Sequence, residues 1–225
     1  QDDRWLPDKI QLTVSKLAQM SESSMAKTPL LVHTDAIVAD NKLGEIHPSL
    51  WEFQHCYPNK GHQIGKLLNQ NLVTGCTAVI NQALRDKALP IPDGVMMHDW
   101  WLALVASAFG KIDIVPEATI FYRQHGLNDT GAKAWGLSEA LSSLLDIRNR
   151  NYILKTNKDI SRRIRKQASV FLQTYFDELS QEQKSAISAF IELPSRSYFV
   201  RKYLILKYGL HYQGLLRNLG NLLLK

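Results

Sequence analysis

His98 and Asp99 stand immediately ahead of ten residues, 100–109, that are nearly all apolar. A carboxylate at the mouth of a helix built for a core has two readings. It can cap the helix, a contribution of about 0.5–2 kcal/mol. It can also be a general base, because a carboxylate walled by Trp100 and Trp101 is desolvated and its pKa rises toward the working range. The two readings are compatible: a helix N-terminus fixes the carboxylate, and the apolar body behind it anchors the helix. Neighbours on a helix point about 100° apart, so one tryptophan can wall a ligand cleft while the other packs inward.

Three further places put reactive groups beside apolar structure. Asp2 and Asp3 precede an apolar helix. Adjacent carboxylates there can hold a hard divalent cation, Mg²⁺ or Mn²⁺, whose oxygen shell a diphosphate completes. They can equally be the acids of a solvated terminus, which spacing alone favours. Asp35, in the run His33-Thr34-Asp35, interrupts an apolar strand. An unsatisfied polar group there is costly, so Asp35 either lines a site or is paired internally. His125 opens a loop with Asn128, Asp129 and Thr130, where an imidazole can ligate metal or donate to phosphate. On its own, that segment reads as a surface loop.

The elements that must position these groups follow from pattern. Apolar residues at Ile10, Leu12, Val14, Leu17 and Met20 predict a helix from about residue 7, with Pro7 suited to its first turn. Residues 29–40 and 71–81 are rich in β-branched residues and read as buried strands, with Gly75 a bulge or close-approach point. Asn81 is placed to cap a helix over 82–89. The helix that begins near Asp99 ends at Gly110, a favoured C′ residue. Residues 112–115 and 118–123 read as two short extended pieces. From about residue 135 helical patterns follow one another, over 136–155, 159–178, 181–193, 195–208 and 212–224. Ser180 with Gln183 forms a capping box for the third. The organisation is therefore residues 1–134, strands mixed with helices, then 135–225, a helical region.

Charge divides the same way. Residues 1–145 hold 12 Lys+Arg against 15 Asp+Glu, and residues 146–225 hold 15 against 6, so an acidic-leaning body joins a basic tail of net +9. The tail's Leu215, Leu216, Leu219, Leu222 and Leu223 fall at helical spacing with Arg217 and Lys225 on the other side. This suits a helix lying in the plane of an anionic membrane surface, or one packed on the body or in a dimer. The regular leucines and the acidic-leaning body argue against a nucleic-acid partner. Cys56 and Cys76 have no metal-ligand spacing and no disulfide framework, which points to a reducing compartment. No stretch of about 18 uncharged apolar residues occurs.

Five segments in order resemble family 2 glycosyltransferases, in the rhamnosyltransferase-like branch that builds bacterial surface polysaccharides: QDDRWLPDKI at 1–10, HTDA at 33–36, NLVTGCTAVIN at 71–81, HDWWLALVASAFGKI at 98–112 and YRQHGLNDTGAK at 122–133. The resemblance implies a GT-A-like α/β fold, a truncated, mostly parallel sheet with flanking helices, followed by an all-helical C-terminal segment. It also implies that the family's nucleotide-binding half precedes Gln1. By resemblance Asp99 is the catalytic base, with His98 where Glu is more usual. Asp2 and His125 are the metal ligands, and Asp3 and Arg123 lie on the donor diphosphate side. Thr74, Gly75 and Cys76, with His98, Trp100 and Trp101, line the acceptor side. The implied reaction is inverting, metal-dependent transfer of one sugar, rhamnose by resemblance, from a nucleotide-diphosphate donor to a lipid-linked glycan on the cytoplasmic face of the bacterial inner membrane. The processive Gln-x-x-Arg-Trp motif is absent after Asp99, which argues against a polymerising synthase. The competing expectations are a non-catalytic helical module binding membrane or nucleic acid, and a transferase-derived scaffold lacking the donor half.

Overall fold

The computed structural model describes residues 3–58, 62–124 and 150–213. Its centre is β2 (Leu30–Ala39), buried along nearly its whole length. A strand with both faces covered reads as a continuous apolar run, and this one does so apart from His33-Thr34-Asp35. On one side β2 pairs in parallel with β5 (Lys111–Arg123), from Leu30 opposite Lys111 to Ala39 opposite Arg123. On its other side it pairs antiparallel with β3 (Glu45–His47) and β4 (Val79–Ile80). β1 (Arg4–Trp5) pairs antiparallel with β5 and forms an edge. The fold is thus mixed α/β with an open five-stranded sheet. Among the described residues its longest pairing is parallel and the other three are antiparallel, so the sheet is mixed where the resemblance implies a mostly parallel one.

Helix α1 (Lys9–Glu22) covers one sheet face, where Met20 packs with Leu30, Val32 and Val115. The other face carries α5 (His98–Phe109), with α3 (Ile64–Asn69) and α4 (Gln82–Ala88) beside it. The short α2 (Leu50–Phe53) sits near the far end of β2, where Leu50 packs with Ala36, Val38 and Ile120. Of the tail, α6 (Arg150–Thr174) and α7 (Gln181–Glu192) close the core over α4 and α5. Phe171 and Tyr175 stand against Trp101, and Gln183 Nε2 donates to the Ala108 carbonyl at 2.9 Å. α8 (Tyr198–Tyr208) follows a 3₁₀ turn at Leu193–Ser195.

Local chemistry places most of these boundaries. Asn81 Oδ1 accepts from Leu84 N–H at 2.9 Å and Leu30 N–H at 3.0 Å, so the cap of α4 also ties it to the start of β2. The capping box at Ser180 and Gln183 is formed in both directions. Gly110 ends α5 for another reason than the expected left-handed turn: its φ is −155°, and a Cβ there would lie 1.8 Å from the Pro29 carbonyl oxygen. Close approach of chain to chain demands glycine. The expected pieces 112–115 and 118–123 are one strand, with register shifts where Thr34 and Asp35 pair to Val115 and Ala118 across Pro116 and Glu117. Proline cannot donate to a ladder, so the strand bulges there rather than ending. The expected strand 71–81 is a 3₁₀ turn, Gly75–Thr77, followed by the two residues of β4. The leucine pattern of 212–224 falls almost wholly outside the described residues.

Candidate functional site

The start of α5, the Gly75–Thr77 turn and the segment that begins at Asp3 meet. Asp99 is 6% exposed, in the first turn of α5. Its Oδ1 accepts from Trp100 N–H at 2.7 Å and from Asn71 Nδ2 at 3.0 Å, and its Oδ2 accepts from Gly75 N–H at 2.9 Å. It is therefore both a helix-end acceptor and a link to the loop ahead of the turn. Burial raises its pKa above the ordinary carboxylate value, against the pull of these donors and of His98. A carboxylate oxygen has two lone-pair sites. Those of Oδ1 are filled and one on Oδ2 is not, so the carboxylate is fixed in place yet can take a proton.

Gly75 is glycine because of this contact. A Cβ there would lie 2.9 Å from His98 Nε2 and 3.3 Å from Asp99 Oδ2. The expectation of a close-approach point at Gly75 is met on a turn rather than a strand. Thr74 closes the turn through its carbonyl, which accepts Thr77 N–H at 2.9 Å and Thr77 Oγ1 at 2.7 Å. His98 is exposed and marks the solvent side of Asp99.

On the other side of the turn, Cys76 hydrogen-bonds Asp3, and burial together with that carboxylate pushes its thiol far up. A thiol held protonated is no nucleophile. Asp3 Oδ1 also accepts Arg123 N–H at 3.1 Å, which pins the start of the chain to the end of β5. Lys9 lies here too, 1% exposed, its Nζ 5.0 Å from the Trp5 ring centre. Burial lowers its pKa. The structure thus gathers Asp3, Thr74, Gly75, Cys76, His98, Asp99 and the main chain of Arg123 around one turn. Asp2 and His125, the expected metal ligands, lie outside the described residues. Asp3 supplies a hard oxygen donor, but among the described residues no group of three His, Cys, Asp or Glu could hold a metal ion.

One expectation is corrected, and one left open is decided. Trp100 and Trp101 are 4% and 0% exposed, and their indole N–H groups donate to the backbone carbonyls of Leu67 and Ala88. Both belong to the core, and neither offers a ring face to a sugar. Asp35 is satisfied within the fold: Oδ1 accepts Ala36 N–H at 2.7 Å and Trp51 N–H at 3.1 Å, and Oδ2 accepts Ser49 Oγ at 2.5 Å. It clamps the start of α2 to the sheet, and burial raises its pKa.

Sequence reasoning misses Asn71, Lys9 and a histidine pair. Asn71 opens the segment it orders, its Oδ1 accepting Val73 N–H at 3.0 Å. Lys9 shares a helix stripe with the buried Thr13 and Met20, while Ile10 and Val14 are each 49% exposed, so the apolar positions alone mislead about which face turns inward. His33 is wholly buried on β2 and shares an N–H···N bond with His62, Nε2 to Nε2 at 2.9 Å. Burial brings His33 down to about 3, helped by the His62 ring, and His62 to about 4, against the pull of Asp113.

Both imidazoles are therefore neutral when folded. Their contribution to stability is complete above the unfolded value of 6.5 and is lost as pH falls toward 4. Asp35 and Asp99, with raised carboxyl pKa values, act in the opposite sense and gain stability as pH falls. A comparison with His62→Gln isolates the imidazole part: the variant is expected to lose about 2 kcal/mol less than wild type between roughly pH 6.5 and 4.5, by urea titration. Equal losses in both would remove the pair as the cause.

The shallow depression between α1 and β5, lined by Leu12, Lys16, Gln19 and Pro116, contains none of the site residues. No protein-family model, curated protein or solved structure matches the chain.

Proposed function

We propose that this chain supplies the general base and acceptor side of a GT-A-like, inverting, metal-dependent glycosyltransferase. It moves a sugar, rhamnose by resemblance, from a nucleotide-diphosphate donor to a hydroxyl of a lipid-linked glycan at the cytoplasmic face of a bacterial inner membrane. One observation supports the reading above the rest: the Gly75–Thr77 turn binds Asp99 on one side and Asp3 on the other, joining the expected base to the expected diphosphate end.

The chemistry assigned to these residues is limited and specific. Oδ2 of Asp99 takes the proton of the acceptor hydroxyl as that oxygen attacks the anomeric carbon, and the raised pKa makes it the stronger base. Asn71 and the first turn of α5 hold Oδ1 so that only Oδ2 is offered. Lys9 is buried beside Cys76, on the side of the turn that carries Asp3. A bound Mg²⁺ or Mn²⁺, held by Asp2 and His125, would neutralise the departing diphosphate.

The three hydrogen bonds to Asp99 also suit a second reading, a transferase-derived scaffold in which the carboxylate only staples the loop at 71–75 to α5. The protein, expressed over its whole reading frame, separates them when given a panel of nucleotide-diphosphate sugars and lipid extract. Transfer that stops with a chelator and returns with Mn²⁺ is the expected result. Transfer that persists through chelation removes the metal, and no transfer with any donor leaves the scaffold.

A further inference from the structure

Helix α8 (Tyr198–Tyr208) has no buried residue, although eight of its eleven residues are Tyr, Phe, Val, Leu or Ile. Its inner side touches the main core through Ile205 and Tyr208. Its outer side presents Phe199 at 83%, Leu206 at 72% and Tyr203 at 57% exposure, with Val200 at 43% beside them. At about 100° per residue Phe199, Tyr203 and Leu206 fall within one arc of roughly 60°, with Val200 farther round. Lys202 lies about 40° beyond one edge of that arc and Lys207 about 40° beyond the other. Lys202 Nζ lies 4.9 Å from the Tyr198 ring centre and Lys207 Nζ 5.6 Å from that of Tyr203, so the cations flank the apolar stripe.

A contiguous apolar stripe of this kind marks an interaction surface. Charge chooses the occupant. The stripe sits in the segment of net +9, with Arg196 and Arg201 close along the chain. A second copy packed on the same stripe would set lysine edges against lysine edges. An anionic bilayer meets both features: rings and leucine enter the headgroup–acyl boundary while the lysine stems reach up to lipid phosphates. No helix among the described residues is long and apolar enough to cross a membrane, and eleven residues suit a helix lying in its plane.

We propose that α8 docks the protein on an anionic lipid bilayer, with Phe199, Tyr203 and Leu206 inserted and Lys202 and Lys207 on the lipid phosphates. The docking helix precedes the leucine pattern that the sequence alone offers for this role. The assignment deepens the membrane placement proposed above, and its test needs no donor, acceptor or transfer, so its failure is separate from that of the transferase reading.

The test is flotation of the whole protein with phosphatidylcholine vesicles, with and without about one third phosphatidylglycerol. Wild type is expected to partition about tenfold or more in favour of the anionic vesicles, and less at high salt. Phe199→Ser with Leu206→Ser is expected to lower binding about tenfold or more, since each side chain loses its burial in the interface. Lys202→Glu with Lys207→Glu is expected to abolish the anionic preference. All four positions lie on the surface, so an unchanged far-ultraviolet spectrum should accompany each loss. Undiminished binding by the Phe199/Leu206 variant overturns the proposal. So does wild type that ignores vesicles, or a soluble dimer that the same variant dissolves, which would assign the stripe to a second copy.

Discussion

Asp99→Asn is expected to lower sugar transfer by about 10²–10⁴-fold, the range a positioned general base contributes. The amide keeps an acceptor for Asn71 Nδ2 and Trp100 N–H, but it loses the proton-accepting oxygen and turns an N–H group toward the Gly75 N–H. That last contact costs stability of about 1–3 kcal/mol, so the rate must be read beside the melting temperature. A second variant separates base from staple. Asn71→Ala removes a donor that favours the ionised carboxylate, so Asp99 rises further. A base must be deprotonated, so the acid limb of kcat/KM lies at the raised pKa of Asp99 and moves to higher pH in Asn71→Ala. A carboxylate that serves only as a staple would change the melting temperature and leave the shape of the pH profile alone. Transfer by Asp99→Asn within about threefold of wild type would end the assignment of Asp99 as base.

What the sequence makes legible here is local. β2, the cap at Asn81, the box at Ser180 and the span of α5 each rest on residues within a few positions of one another. The turn at Gly75–Thr77 is misread because Val, Thr and Ile make the segment look like a strand, whereas its shape is set by Asp99, 24 residues on. Pairing of His33 with His62, 29 residues apart, leaves no periodic trace. The presence of reactive groups at Asp99, Asp3 and Cys76 is readable; that one turn joins them depends on β5 bringing Arg123 against Asp3. Lys9 escapes because amphipathic phase assumes that the inward stripe is apolar, and here it includes a lysine.

Trp101→Ala is expected to cost about 3–5 kcal/mol, among the largest losses a single core truncation produces. The side chain is wholly buried, 5.4 Å from Phe171 and 5.8 Å from Tyr175 between ring centres, and its indole donates to the Ala88 carbonyl at 3.0 Å. Trp101→Phe keeps much of the ring contact and leaves that carbonyl unpaired, so about 1–3 kcal/mol is expected of it. Urea unfolding followed by far-ultraviolet and fluorescence signals checks both. Because Trp101 joins α5 to α6, the two signals should fall together and at lower urea in the alanine variant. A fluorescence signal that keeps its wild-type midpoint while the far-ultraviolet signal shifts would show that α6 and α7 fold as a unit of their own. The pair of tryptophans also explains the order of residues at the head of α5. Trp100 reaches the Leu67 carbonyl on α3, and Trp101, about 100° further round the helix, reaches α4 and α6. Two anchors in different directions leave the first turn of α5 unable to roll, and Asp99 in that turn holds its aim at Gly75. Loosening Trp101 should therefore depress transfer beyond the fraction unfolded, although its side chain lies in the core and not at the site.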